Sequence, residues 1–114
     1  MTVLIETEIW LQVCRYDELL PERGAAALLD DGCQAAVFRT YDGNVYAISN
    51  HDPFSGAAVM SRGIVGTRGD APTVASPMHK QVFDLRTGIC LDEPAVRVPV
   101  FSARVRDGVV EISS

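Results

Sequence analysis

Two histidines, a neighbouring carboxylate and three cysteines are the side chains in this sequence whose chemistry reaches beyond packing. His51 and Asp52 are adjacent, and His79 closes a second segment, Ser76-Pro77-Met78-His79. Two imidazoles and a carboxylate suit a mononuclear iron or zinc site, and a histidine tunable near neutral pH suits proton transfer. The spacing matches no familiar metal signature, and no second ionisable group stands beside His79 in sequence. A structural or interface histidine is therefore the favoured reading. Cys14, Cys33 and Cys90 are odd in number and widely separated, with no C-x-x-C pair. That pattern argues against a disulfide framework and a zinc knuckle, and leaves half-buried thiols that pack as small hydrophobes.

Nucleophilic catalysis finds no support. There is no Gly-x-Ser-x-Gly elbow, and no cysteine lies near a histidine in sequence. The glycine-rich run Gly63-Ile64-Val65-Gly66-Thr67-Arg68-Gly69 lacks the Lys-Ser/Thr of a phosphate loop and leads into no helical pattern. Arg68-Gly69-Asp70 spells an adhesion tripeptide by chance. The carboxylates are dispersed and read as solvated surface. No catalytic, cofactor-binding or metal-ligating residue is assigned to this chain.

Charge narrows the range of partners. Ten Lys and Arg against fifteen Asp and Glu leave a net charge of −5. Nucleic acids and anionic membranes both select for a basic surplus, so neither is an expected partner. The first residues carry Glu6 and Glu8 where a signal peptide would be apolar. No apolar run approaches the roughly 18 residues of a membrane helix. The expected compartment is the cytoplasm. With 114 residues, 47% of them hydrophobic, a single domain over 1–114 is expected, with a core of its own.

Short strands must position these side chains. Asp-Gly or Gly-Asp punctuates the chain at 31–32, 42–43, 69–70 and 107–108, with Arg62-Gly63 and Thr87-Gly88 between. Asp-Gly between apolar runs favours tight hairpins, because glycine tolerates the positive φ of primed turns. Ile9, Leu11 and Val13 alternate with Glu8, Trp10 and Gln12, as a strand would. Ala35–Arg39 and Asn44–Ile48 predict a hairpin about Asp42-Gly43. Val98–Arg106 and Val109–Ile112 predict another about Asp107-Gly108. Gln81–Asp84 and Ile89–Leu91 predict a third about Thr87-Gly88. Tyr16–Leu20 suits one helical turn, and nothing sustains a 3.6-residue period. The expected class is all-β, a sandwich or small barrel of short antiparallel strands. Asn50 to Arg62 and Gly66 to Pro77 are expected as irregular loops on this scaffold, where function concentrates.

Those loops have a recognisable layout. The first reads Asn50-His51-Asp52-Pro53-Phe54-Ser55-Gly56. The second, Ser76-Pro77-Met78-His79, runs on into Gln81-Val82-Phe83-Asp84-Leu85-Arg86-Thr87-Gly88. This resembles the Rieske iron–sulfur family, in which C-P-H-x-G and C-P-x-H loops hold a [2Fe–2S] cluster and the second loop leads into F-D-x-x-T-G. The resemblance spans about Cys14 to Ile112 and implies a Rieske-like β-sandwich or small barrel with both loops at one end. Carried over position by position, the two cysteines become Asp52 and Ser76, the first histidine becomes Phe54, and only His79 survives. A Rieske centre needs two thiolates and two imidazoles. The resemblance therefore implies a degenerate site without a cluster.

Among Rieske-like chains this one is similar to the small subunits of assimilatory NAD(P)H-dependent nitrite reductase. That resemblance implies a non-catalytic cytoplasmic subunit of an oxidoreductase, in nitrate assimilation. Its partner would be a large subunit carrying FAD, sirohaem and an iron–sulfur cluster, which reduces nitrite to ammonia. His51, Phe54, Met78 and His79 at the loop tips are the candidate interface. Phe54 and Met78 either fill the volume of the lost cluster or cap it as an exposed apolar contact. The alternatives are a free-standing binding module on the same fold and a Rieske-type electron-transfer ferredoxin, the latter opposed by the ligand set.

Overall fold

The computed structural model describes residues 9–29 and 31–113. Glu8 of the expected first strand and the amino-terminal residues 1–7 lie outside that range. Nine strands follow one another: β1 (Leu11–Arg15), β2 (Arg23–Leu28), β3 (Gln34–Arg39), β4 (Val45–Ser49), β5 (Ile64–Arg68), β6 (Ala71–Ala75), β7 (Val82–Asp84), β8 (Val100–Arg106) and β9 (Val109–Ser113). They form an antiparallel six-stranded sheet in the order β1-β9-β8-β4-β3-β2 and a three-stranded sheet β5-β6-β7. Single 3-10 turns occupy Tyr16–Glu18 and Met60–Arg62. Among the described residues no helix is long and apolar enough to cross a membrane.

Strand β3 explains why the larger sheet curls. Ala35, Ala36, Val37 and Phe38 are all fully buried, and successive side chains of a strand point to opposite faces. Ala36 and Phe38 join Ile48, Met60, Val74 and Phe83 in one core cluster beneath the small sheet. Ala35 and Val37 join Ala47, Val110 and Ile112 in a second. The β1-β9-β8 half must therefore fold back over the opposite face of β3. It turns where β4 and β8 pair over two residues only, Ala47 with Phe101 and Ile48 with Val100.

The three hairpins expected from their turns are present, the one at Thr87-Gly88 held by the Phe83–Cys90 bridge. The segment from Gly66 to Pro77 is not irregular. It contains most of a β5–β6 hairpin turning at Gly69-Asp70, with Thr67 opposite Pro72. Pro72 is tolerated because pairing of β6 with β7 starts one residue later, at Thr73. Strand β2, Arg-Gly-Ala-Ala-Ala-Leu, has little strand propensity of its own and is held in register by β3 along its whole length. In β1 the pairing slips between Gln12 and Cys14, so Val13 and Cys14 both pack against the second cluster.

Two glycines with similar dihedrals carry different constraints. At Gly88 (φ +76) an added Cβ would lie 2.2 Å from the Val98 carbonyl oxygen, whereas at Gly69 (φ +63) it would meet nothing within 4 Å. Gly88→Ala is expected to cost about 3 kcal/mol or more through strain and overpacking together, lowering Tm by roughly 10 °C or more. Gly69→Ala should cost only about 1 kcal/mol. Thermal unfolding followed by circular dichroism separates the two, and equal losses would contradict the close Gly88–Val98 approach.

Candidate functional site

Both loops of interest leave the β-scaffold through a buried polar residue. Asn50, just past β4, is 2% exposed. Its side-chain amide donates to Gln34 Oε1 (3.0 Å) and to the Ala58 carbonyl (3.3 Å), and its Oδ1 accepts from Ser61 N–H (2.7 Å). Its own carbonyl accepts from Met60 N–H (3.1 Å). One side chain thus ties the start of the first loop to its end and to β3. The sequence carries no signal for this role beyond an Asn at a strand terminus.

Within that frame Asp52 builds a tight turn. Its Oδ1 accepts from the N–H groups of Phe54 (2.9 Å) and Ser55 (3.4 Å), and its carbonyl accepts from Gly56 N–H (2.8 Å). Gly56 has φ +77, the left-handed conformation that the turn needs there. The second loop repeats the device in a shorter span, 76–81. Ser76 Oγ accepts from Met78 N–H (3.2 Å), and the Ser76 carbonyl accepts from Lys80 N–H (3.0 Å). Short polar side chains that bond the backbone two residues on are a standard means of fixing such turns.

The two turns are joined to each other. Ser76 Oγ–H donates to Asp52 Oδ2 at 2.5 Å, with Asp52 fully buried and Ser76 1% exposed. Burial alone would raise the Asp52 carboxyl, but the Ser76 hydroxyl and the Phe54 and Ser55 donors outweigh it and hold it below the usual carboxylate value. Asp52 is therefore an ionised acceptor at neutral pH, and its hydrogen bond to Ser76 is charge-assisted.

The remaining candidates separate. Phe54 turns inward, half-buried against the first core cluster, with its ring centroid 6.2 Å from that of Phe83. Met78 turns outward and is 52% exposed. Phe54 is thus packed against the core and Met78 open to solvent. His51 and His79 are both exposed. Among the described residues no group of three or more His, Cys, Asp or Glu side chains is placed to hold a metal. The combination His51, Asp52 and His79 is not assembled. Cys90 is buried in the first core cluster, Cys14 is half-buried and Cys33 exposed, all as free thiols.

Behind the second loop, Asp84 receives Arg86 through its backbone N–H (2.8 Å), Nε (3.3 Å) and a terminal guanidinium nitrogen (3.2 Å). Burial pushes this carboxyl up, and the hydrogen bonds and charge of Arg86 bring it below its ordinary value. Asp92 clamps the same region by accepting from Val82 N–H (2.9 Å) and Arg68 (3.0 Å).

Comparison with known proteins places this architecture. The Rieske-like [2Fe-2S] domain family matches residues 9–113. The nitrite reductase (NADH) small subunit of Escherichia coli strain K12 is 44% identical over 104 residues, covering 90% of this chain and 95% of that protein. A Mycobacterium tuberculosis protein crystallised as an NADH-dependent nitrite reductase small subunit superposes with a TM-score of 0.92 at 54% identity, covering 96% of this chain and 97% of that one. A segment of the Klebsiella oxytoca nitrite reductase [NAD(P)H] large subunit is 36% identical over 105 residues, 92% of this chain but 11% of that protein. The cluster in the family's description does not fit the side chains found here. A carboxylate, a hydroxyl, a phenyl ring and one exposed imidazole do not supply two thiolates and two imidazoles.

Two measurements check the joined turns. Asp52→Ala strands the Ser76 hydroxyl and two backbone donors and should cost about 2–4 kcal/mol, against about 1–2 kcal/mol for Ser76→Ala. The double variant should cost clearly less than the sum, and strict additivity in urea unfolding would contradict the link. For Asp84, a folded pKa below the unfolded value contributes stability that is present above about pH 4 and lost as pH falls through the folded pKa. The urea midpoint should therefore drop on acidification, and drop less in Asp84→Asn.

Proposed function

The chain belongs to the family of nitrite reductase small subunits, built on the Rieske-like [2Fe-2S] domain, and we propose that it supports catalysis by a partner without performing chemistry itself. The observation that carries this reading is the Asp52–Ser76 hydrogen bond. The positions that resemble the family's thiolate ligands are spent on holding two turns together. Phe54, the position of the first histidine, is spent on packing against Phe83. An electron carrier of this family must present a redox centre, and these side chains lack the two thiolates and two imidazoles that a Rieske cluster needs.

The partner in this reading is the large subunit of an NAD(P)H-dependent nitrite reductase. Support comes from the Klebsiella oxytoca large subunit, in which a segment similar to nearly this whole chain lies within one polypeptide. Covalent linkage in one organism holds the two components at high effective concentration, a condition that a direct contact between separate chains would replace. FAD, sirohaem and an iron–sulfur cluster then reside in the large subunit, where nitrite is reduced to ammonia for nitrate assimilation in the cytoplasm. The role of this chain is to position or stabilise that partner.

A tagged chain recovered anaerobically from its native cells grown on nitrite tests both halves. Co-purification of a much larger flavin- and sirohaem-containing protein is the expected result. The chain separated from it should contain iron far below one cluster and show no visible absorption bands. A stoichiometric cluster would overturn the cluster-free reading, and absence of the large protein would overturn the subunit reading.

A further inference from the structure

We propose that the end of the molecule bearing the two loops is the face that docks the large subunit, on a partner surface that is apolar opposite Met78 and acidic opposite Lys80. This rests on the subunit reading above. It goes further by choosing among the molecule's surfaces.

Strand register supplies the first argument. Strand β4 runs toward the first loop, and β8 begins beside its end, with Val100 opposite Ile48 and the Pro99 carbonyl accepting from Ser49 N–H. β8 therefore runs away from the loops and β9 returns toward them, Ser113 lying opposite Ser102. β1 starts beside the last turn of that ladder, with Leu11 opposite Ile112. The backbone on both sides of the domain thus leaves at the loop-bearing end. In the Klebsiella oxytoca polypeptide the matching segment continues into the large subunit, so on this fold either connection emerges beside the loops.

Surface chemistry supplies the second. Met78 is 52% exposed in the second loop, and Ile64, 71% exposed, lies opposite Ala75 immediately before Ser76. Leu28, 68% exposed, lies opposite Gln34, whose side chain accepts from Asn50. Ile64 lines a groove with Pro21 to Gly24 at the start of β2, so the exposed apolar side chains at the loop-bearing end are Met78 and Leu28, and such side chains within a polar surround mark protein contacts. The second loop has one sign. Segments 50–62 and 76–81 expose His51, Arg62, His79 and Lys80, while their single carboxylate, Asp52, is fully buried. On a chain of net charge −5, the exposed His79 and Lys80 of the second loop, which holds no acid, are complementary to an acidic patch on a partner.

The test measures binding of the wild-type chain and two variants to the purified large subunit. Met78→Glu/Lys80→Glu alters the loop end, and Tyr41→Glu/Val105→Glu alters exposed apolar positions at the opposite end. All four side chains point to solvent, and matched thermal melts check that both variants fold. The loop-end variant is expected to weaken Kd by about tenfold or more, the other to stay within about twofold. Equal weakening, or weakening by the opposite-end variant alone, would overturn the docking face and leave the subunit reading standing. Failure of the wild-type chain to bind would overturn the subunit reading, and the docking face with it.

Discussion

One buried hydrogen bond, from Ser76 to Asp52, sets the geometry on which the rest of this end of the molecule depends. Each loop is self-sufficient as a turn, but turns on separate sheets have no reason to keep a fixed distance. A carboxylate placed where water cannot reach it is costly unless every lone pair is used. Asp52 offsets that cost with two backbone donors from its own loop and one hydroxyl from the other, so both carboxylate oxygens are engaged. The link between the sheets is therefore enforced by the cost of leaving a charge unsatisfied, not by the strength of one contact. Its effect reaches Phe54, which is aimed at Phe83, and Met78, which is aimed at solvent.

The scaffold makes such economy possible. A strand buried on both faces, as β3 is, acts as a wall shared by two cores, one under the small sheet and one inside the curled large sheet. Small residues at Ala35 and Ala36 let both layers approach it. Asn50, beside the end of that wall, then fixes the first loop by hydrogen bonds alone. The two loops consequently have many of their backbone N–H groups held by short polar side chains, among them Asn50, Asp52 and Ser76.

Much of this was legible in the amino-acid sequence, and unevenly so. The hairpins at Asp42-Gly43 and Asp107-Gly108 were readable because turn chemistry and flanking β-branched residues agree. The β5–β6 hairpin was hidden by Gly66 and Pro72, residues that signal a loop unless the pairing partner of each position is known. β2 was hidden for the converse reason, since Gly24-Ala25-Ala26-Ala27 has no preference that pairing with β3 does not impose. The three altered ligand positions, Asp52, Phe54 and Ser76, and the retained His79 were visible only through resemblance to the Rieske family. That Asp52 and Ser76 touch, that Phe54 faces in and that Met78 faces out are consequences of two sheets meeting, which no local pattern encodes. The anchoring by Asn50 has no local signature, because its three side-chain partners lie 16, 8 and 11 residues away.

The same link has a consequence for how the chain comes into being. Loops tied through a metal centre reach their final form only after an external part has been made, carried and inserted, and they are exposed to error until then. A carboxylate and a hydroxyl arrive with the polypeptide and meet as the sheets close. The joint between the loops is therefore complete once the chain has folded, in any supply of iron or oxygen.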